Sequence, residues 1–440
     1  MVMTKLTIQI KLGVNWHDAA TLSFEQDQMS LKYLEPYALE HFGCDDNRAL
    51  SVNLPVTVFP YHTTTKKPFR FIDDIVLSGA GKRFWIANGL SKGSSTYNTL
   101  HQFTCGPIGN IRVKEACAST CADPLLCETS FTVDDVVNKG WDLLDYAKKL
   151  GIDVRSATGA GGEAPKYLLS KQGQLVWLSS FGTIKAANSE HYLVKFPRGK
   201  QSAIDSDILR AEFHYYHELE ALGFNTIATK GMMLLEGPKC PSLWLPRFDV
   251  VTADDGGVTQ RAIESVYSVL QKPPGSLLDH EETLRTLIQT IQSSFMVQEQ
   301  GYQFDVENFV IEWVKRDLTN IIFGNSDNHG RNISLVRSQG KIMLAPIYDF
   351  APMKADPQGV VRTITWHANI EIGGNLNFLK IAEALDDLVP TDRLLNELGC
   401  LAESLLSLRS RLEKRGVPAA ILNYPSIGLN FIEKKLQDLC

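Results

Sequence analysis

Between two apolar runs the chain carries NSDNHGRNIS, residues 325–334, and a short way on PIYDF, so that Asp327, Asn332 and Asp349 are three oxygen-bearing side chains within 23 positions. Moving a phosphoryl group asks little of a protein: a cradle for phosphates, a cation on them, oxygens that hold Mg²⁺, and a carboxylate beside the attacking hydroxyl. Each part has a candidate here, in a consistent order. In RSATGAGGEAPK, 155–166, Gly159, Ala160, Gly161 and Gly162 permit close backbone approach to an anion. Lys195 lies within HYLVKFP, and Glu212 on the following helical stretch could reach it. Asp327 would orient the hydroxyl and accept its proton, while Asn332 and Asp349 would hold the metal.

Each member also has a plain reading. Asn, Asp, Ser and Gly are the commonest turn formers, and a lone Gly-rich stretch that matches neither the P-loop nor the GxGxxG fingerprint reads as a flexible turn. A strand lysine usually faces water, and a single helix glutamate is usually a surface charge. The ordered set is what points to chemistry, because Asp-x₄-Asn is the separation of catalytic aspartate and metal-binding asparagine in kinase loops.

These side chains need elements to hold them. Residues 4–24 alternate as two strands around GVNWHD, a hairpin. ALSVNLPVTVF reads as a further extended segment, and FRFIDDIVLSGAGKRFWIANGL as helical with a glycine break at SGAGKR. SFTVDDVVNKGWDLLDYAKKLGI reads as one amphipathic helix capped by Thr132 and ended by Gly151. KYLLSKQGQLVWL is strand, turn, strand; HYLVKF and SLWLPRFDVV are strand-like; DSDILRAEFHYYHELEALGF is a helix with a Ser/Asp-rich start. From 279 to about 323 the pattern is helical; NISLVRSQGKIMLAPIYDF forms a hairpin, and helices return to the end. The expected class is α+β, a two-lobed plan divided as 1–130, 131–265 and 266–440: a β-rich piece with a connector, a lobe with the glycines and lysine, and a helical lobe with the catalytic loop.

At 440 residues the chain exceeds one ordinary core. Its 44% hydrophobic and 21% charged residues are those of a globular protein. A net charge of −6 without a polybasic block gives no field that recruits nucleic acid by itself. The start lacks a signal-peptide core and no run reaches membrane-spanning length, so a cytoplasmic address without membrane contact is expected. The eight cysteines are scattered, and free thiols are the expectation. CASTCADPLLC, 117–127, invites a zinc reading but lacks paired CxxC spacing and a nearby fourth ligand.

With these residues in view, the chain resembles the HipA family of serine/threonine kinases, the toxin half of bacterial toxin–antitoxin modules. SDNHGRNISL and APIYDF are similar to that family's catalytic loop and metal-binding motif, YLVKFP to its lysine strand, AEFHYYHELEALGF to its helix and LPRFD to its nucleotide hinge; ALSVNLP and IDDIVLSGAGKRFW resemble its N-terminal part. The resemblance implies a protein-kinase-like fold with an N-terminal β-rich subdomain and a helical C-terminal lobe. It implies ATP and Mg²⁺ as cofactors, Asp327 as catalytic base, Asn332 and Asp349 on the metal, and Lys195, paired with Glu212, on the phosphates. Arg247, Phe248 and Asp249 would line the adenine site, with His329 and Arg331 also near the nucleotide. It further implies a protein substrate such as an aminoacyl-tRNA synthetase, a helix-turn-helix antitoxin that alone reaches DNA, and self-phosphorylation in the Gly-rich loop, where Ser156 and Thr158 are the hydroxyls. Two other readings stay open: a lipid or small-molecule phosphotransferase, whose loops share Asp-x-His-x-x-Asn, and a pseudokinase scaffold or co-repressor.

Overall fold

The computed structural model describes residues 4–118, 129–149, 154–178, 189–252, 257–372, 375–437 and 439, with the side chains of Ala118 and Ser156 excepted. The alternating N-terminal segment forms the expected hairpin, β1 (Thr4–Leu12) and β2 (Asn15–Glu25), turned at Gly13 with φ +56°. With β3 (Gln28–Tyr33), β4 (Tyr61–Thr64) and β5 (Ile111–Val113) it builds an antiparallel sheet of order β4-β3-β2-β1-β5. Its inner face buries Leu6, Ile8, Leu22 and Leu31.

A second antiparallel sheet carries the lysine. Its strands are β6 (Phe131–Thr132), β7 (Lys166–Gln172), β8 (Leu175–Trp177), β9 (Glu190–Lys195), β10 (Met233–Glu236) and β11 (Pro241–Pro246), in the order β10-β11-β9-β7-β8-β6. The helix Ala203–Ala221 packs beside it, begun by a reciprocal cap in which Ser202 Oγ accepts from Asp205 N–H and Asp205 accepts from Ser202 N–H. After the hinge come β12 (Val250–Thr252) and β13 (Val258–Gln260), which pair together, and then β14 (Ala262–Ser265). β15 (Leu278–Asp279) precedes the helices His280–Gln292 and Val306–Phe323. The hairpin β16 (Ser334–Ser338) and β17 (Lys341–Leu344) completes a sheet of order β14-β16-β17, and helices such as Thr391–Leu406 close the chain around the largest apolar core.

Three local expectations are corrected. The helix expected over 133–149 breaks at Gly140, whose φ of +58° no helix accepts, into Val133–Lys139 and Leu143–Lys149; the Thr132 cap stands, and Gly151 lies outside the described residues. The glycines of SGAGKR start a helix, Gly79–Ala87, and the break falls at 76–78. ALSVNLPVTVF is irregular backbone. Its polar groups are satisfied from across the molecule: buried Glu264 accepts Val52 N–H at 3.0 Å and the Ser51 hydroxyl. Among the described residues no group of three or more His, Cys, Asp or Glu could hold a metal, and much of the cysteine-bearing connector, including Cys121 and Cys127, lies outside them.

One joint fastens the N-terminal piece to the third sheet. Arg337 on β16 is wholly buried, ion-pairs with Glu264 on β14 at 3.1 Å, and donates to the carbonyls of Asp45 (3.0 Å), Asp46 (2.6 Å) and Ala49 (3.2 Å). Deleting one partner of such a pair strands the other charge in low dielectric. Arg337→Leu should therefore destabilise the fold by about 3–5 kcal/mol. A urea midpoint equal to the parent's would show that the joint contributes nothing.

Candidate active site

Lys195 ends β9, 3% exposed, and lies directly across from Lys166, the first residue of β7. Directly paired residues point to the same face of a sheet, so both ammonium groups emerge together. Lys195 Nζ donates to Glu212 Oε1 at 2.6 Å and to Asp349 Oδ1, while Lys166 Nζ lies 3.7 Å from Asp349 Oδ2. Glu212, itself 3% exposed, also accepts the Tyr216 hydroxyl at 3.1 Å, and Tyr216 in turn accepts the Phe350 N–H. The strand, the helix and the segment after the second hairpin therefore meet at one lysine.

Burial alone would raise the Asp349 carboxyl, but Lys166 and Lys195 overcome it and hold the group far below the ordinary carboxylate range. Burial likewise works against the Lys195 ammonium, and Asp349 and Glu212 more than restore it, so it stays charged. Lys166 has the weaker position: burial and the like charge of Lys195 lower it despite Asp349. Asp349 is held at φ +54°, a left-handed conformation uncommon outside glycine that aspartate tolerates better than most. Such outliers gather where the surroundings over-determine a functional side chain.

The opening motif is a compact loop at the end of the helix Val306–Phe323, which Gly324 closes in the left-handed region. His329 Nδ1 accepts the N–H groups of Arg331 (3.3 Å) and Asn332 (3.2 Å), which leaves the ring proton on Nε2, 3.5 Å from Asp327 Oδ1. Asn332 Nδ2 donates to Asp327 O at 2.8 Å, so the amide oxygen can point elsewhere. Burial pushes the Asp327 carboxyl up, and Asp349 adds to that shift while His329 opposes it. Asp327, Asn332, Asp349, Lys166 and Lys195 all line one pocket of about 360 Å³, whose other end is walled by Leu245, Pro246, Arg247 and Phe248.

At that hinge Arg247 turns away from the pocket's needs. Its guanidinium grips Asp249 in two bonds, at 3.0 and 2.6 Å, and its N–H donates to His191 O at 2.9 Å. Asp249 also accepts Gly109 N–H at 2.9 Å, which ties the hinge to the N-terminal piece. Phe248 stacks on Tyr348, with ring centroids 5.5 Å apart, and the Tyr348 hydroxyl donates to Arg331 O at 2.7 Å. The Arg331 guanidinium is engaged with Asp73 O and Ser78 Oγ.

The Gly-rich loop is placed over the lysines, but its glycines serve a use the sequence reading did not foresee. Of Gly159, Gly161 and Gly162, only Gly162 has positive φ, +107°. A Cβ on Gly159 would lie 2.1 Å from Gly106 O, and one on Gly79 would lie 1.9 Å from Gly162 O. The loop is thus packed backbone to backbone against two N-terminal segments, and Ala80 N–H donates to Gly162 O at 2.9 Å. Ala160 lines the pocket between them. Thr158 is 1% exposed, with its hydroxyl donated to Arg155 O and accepting from Trp85 Nε1, while the Ser156 side chain lies outside the described residues.

The family model of the HipA-like C-terminal domain matches residues 158–404, more than half of the chain and all of the catalytic-loop, hinge and lysine elements. The chain belongs to that family. As a HipA-like chain it is 27% identical over 230 residues to Toxin YjjJ of Escherichia coli (strain K12), a match covering 51% of this chain and 44% of that protein; the chain therefore aligns with less than half the length of this relative. Its fold is similar to that of HipA of Shewanella oneidensis MR-1, solved with HipB and operator DNA, at a TM-score of 0.65 and 16% identity, over 99% of this chain and 98% of that one. The fold is accordingly two-lobed and HipA-like, α+β, and the likeness takes in the N-terminal β-rich piece.

In this HipA-like site the sequence reading missed Lys166, Asp74 and Tyr348. Lys166 closes the quoted glycine stretch and carried its own signal, a second lysine opening an apolar strand. Asp74 and Tyr348 carried none, since only tertiary packing brings them to the pocket. The same packing makes Gly79 testable. Gly79→Ala adds a methyl group where Gly162 O stands, at a backbone angle costly for alanine, and should weaken nucleotide binding at least about tenfold through displacement of the loop. Titration with Mg-ATP by calorimetry checks this, and an unchanged affinity would mean that the clamp is not felt at the pocket.

Proposed function

We propose that this HipA-like chain is an ATP- and Mg²⁺-dependent protein serine/threonine kinase that acts as a growth-arresting toxin, its substrate a translation-related protein such as an aminoacyl-tRNA synthetase. The observation that carries the reading is the convergence of Lys195, Asp349 and Asp327 on one pocket with an aromatic hinge at its far end, with Glu212 holding Lys195 from behind. In this reading residues 1–130 are an N-terminal subdomain with connector, 131–265 the lobe that covers the phosphates and 266–440 the lobe that holds the catalytic loop. Relatives support the wider setting: a curated toxin shares the family, and the Shewanella HipA assembles with HipB and operator DNA. A helix-turn-helix antitoxin is the partner proposed here, with DNA reached only through it, in keeping with the net charge of −6. No helix among the described residues is long and apolar enough to cross a membrane, and a cytoplasmic setting is part of the proposal.

The donor set suits Mg²⁺, a hard cation that takes one or two protein oxygens and fills the rest with phosphate and water. Asp349, kept ionised by its lysines, and the Asn332 amide oxygen would hold it, and the metal would supply charge neutralisation between the β- and γ-phosphoryl groups. Lys195, fixed by Glu212, places a permanent cation at the α- and β-phosphates, and Lys166 adds a second. The Gly-rich loop presents backbone N–H groups to the same end. Asp327 orients the acceptor hydroxyl and takes its proton, with His329 Nε2–H holding the carboxylate in place. Self-phosphorylation at Ser156 or Thr158 belongs to the proposal too, and for Thr158 it requires the loop to leave the packing seen here.

A radiolabelled γ-phosphate assay with a cell lysate, run beside Asp327→Asn, tests the reading. Transfer to a discrete protein band should fall about 10²- to 10⁴-fold in the variant while Mg-ATP still binds; label on lipids or sugars alone, or no label, overturns it. Asp349→Asn should instead weaken Mg-ATP binding.

The acid limb of kcat/KM provides a second check. A base must be ionised, and the Asp327 carboxyl is raised, so activity should climb with pH through a midpoint above the ordinary aspartate value of about 4. A limb at or below that value in the free enzyme would remove Asp327 from the role.

A further inference from the structure

Asp74 is an acid on the pocket wall that phosphoryl transfer leaves without work. It belongs to the short helix Phe71–Ile75 of the N-terminal piece, within IDDIVLSGAGKRFW, a stretch to which no site residue was assigned. Its Oδ2 accepts the Ser265 N–H at 2.9 Å, where β14 ends. Ser265 engages it through its side chain as well, and among the described residues no cation pairs with it. Arg331, the cation whose charge it feels, donates instead to Asp73 O and Ser78 Oγ. An ionised carboxylate offers about four lone-pair sites, so one in a pocket wall that is held by a single serine is an acceptor waiting for donors.

Its place along the pocket says which donors. β14 runs on from the hinge, where Arg261 N–H donates to Asp249 O at 2.8 Å, and ends at Ser265 beside Asp74. Tyr348 stacks on Phe248 at the hinge, immediately precedes Asp349 at the charged end, and feels the charges of both Asp74 and Asp349. Asp74 therefore stands between the aromatic end and the phosphate end. In a nucleotide the unit between base and phosphates is the ribose, whose hydroxyls are the donors that carboxylates accept in other nucleotide sites.

We infer that Asp74 is a specificity residue for the sugar of the nucleotide, accepting hydrogen bonds from its 2′- and 3′-hydroxyls with the lone pairs that Ser265 leaves free. The N-terminal piece then supplies part of the nucleotide site and selects ribonucleotides over deoxyribonucleotides. This inference rests on reading the pocket as a nucleotide site. Burial raises the Asp74 acid to about 6 despite the Ser265 N–H, which still leaves it ionised near neutral pH, in the form that accepts two hydroxyls.

Calorimetric titration near neutral pH of the full chain with the Mg²⁺ complexes of ATP, 2′-deoxy-ATP and 2′,3′-dideoxy-ATP tests it, in the parent, Asp74→Asn and Asp74→Ala. The Asn variant keeps an acceptor for the Ser265 N–H and guards against mere loss of fold. The parent should bind ATP about 10- to 100-fold more tightly than the dideoxy analogue, the range for hydrogen bonds to a charged group, and Asp74→Ala should bind the two alike, with Asp74→Asn between. A parent that binds all three equally overturns the inference while leaving the nucleotide site standing. So do variants that keep the parent's ratio, or that lose affinity for all three by one factor, the mark of a purely structural contact with Ser265. Absence of binding to any of the three would instead remove the nucleotide reading, and this inference with it.

Discussion

The molecule is organised around an electrostatic constraint at the end of β9. Two ammonium groups and the Glu212 carboxylate are brought nearly out of water within one small volume, with the partly buried Asp349 carboxylate facing them from the pocket. Each charge taken alone costs several kcal/mol to bury. Together the desolvation is offset by mutual attraction, and the balance holds only while a strand, a helix and the segment after β17 keep their relative places. The sheet–helix packing, the capping box at Ser202 and the Tyr216 bridge from Glu212 to Phe350 all serve that alignment. Such a cluster adds less to net stability than its contacts suggest, because an apolar replacement of the same volume would avoid the desolvation altogether. Its presence is better explained by what it presents to the pocket, namely fixed positive charge beside an acid that stays ionised.

The N-terminal piece belongs to the same construction. It touches the site repeatedly: Asp249 accepts from Gly109, Asp74 accepts from Ser265, Arg331 donates to Asp73 and Ser78, Gly79 and Gly106 close on the Gly-rich loop, and Glu264 with Arg337 anchors residues 45–52 from behind. Polar backbone that forms no strand there would be costly to bury, and Arg337 and Glu264 satisfy it instead. That is why ALSVNLPVTVF, with its strand-like composition, is irregular: its hydrogen bonds run to Glu264 and Arg337, to the Tyr33 and Tyr61 hydroxyls and to local turns, and not to the backbone ladder of a neighbouring strand.

Much of this was legible in the sequence where chemistry depends on local spacing. Asp327 and Asn332 fall on one tight loop, so their separation along the chain also fixes their separation in space. The Thr132 cap and the N-terminal hairpin were readable for the same reason, whereas the helix read as opening at Asp205 starts at Ala203, capped by Ser202. Lys195 could be located on a strand but not assigned a face, since apolar residues flank it on both sides and its partners lie 17 and 154 positions away. The break at Gly140 escaped because the apolar spacing runs on through it, and a glycine inside a helical pattern does not announce a positive φ. Asp74, Tyr348 and the glycine-to-glycine packing were illegible, being products of long-range contact alone. Arg247 and Asp249, expected at the nucleotide, do line the pocket, yet their side chains are occupied with each other.

The backbone clamp on the Gly-rich loop has a thermodynamic corollary. Gly79 and Gly106 meet the loop without intervening side chains, so little slack separates the N-terminal piece from the wall of the pocket. Any molecule that binds the N-terminal piece more tightly in one loop position than another must alter affinity at the pocket, and a ligand in the pocket must alter that molecule's affinity by the same factor. The two surfaces are therefore linked functions of one equilibrium, joined where Gly79 meets the Gly162 carbonyl and Gly159 meets that of Gly106.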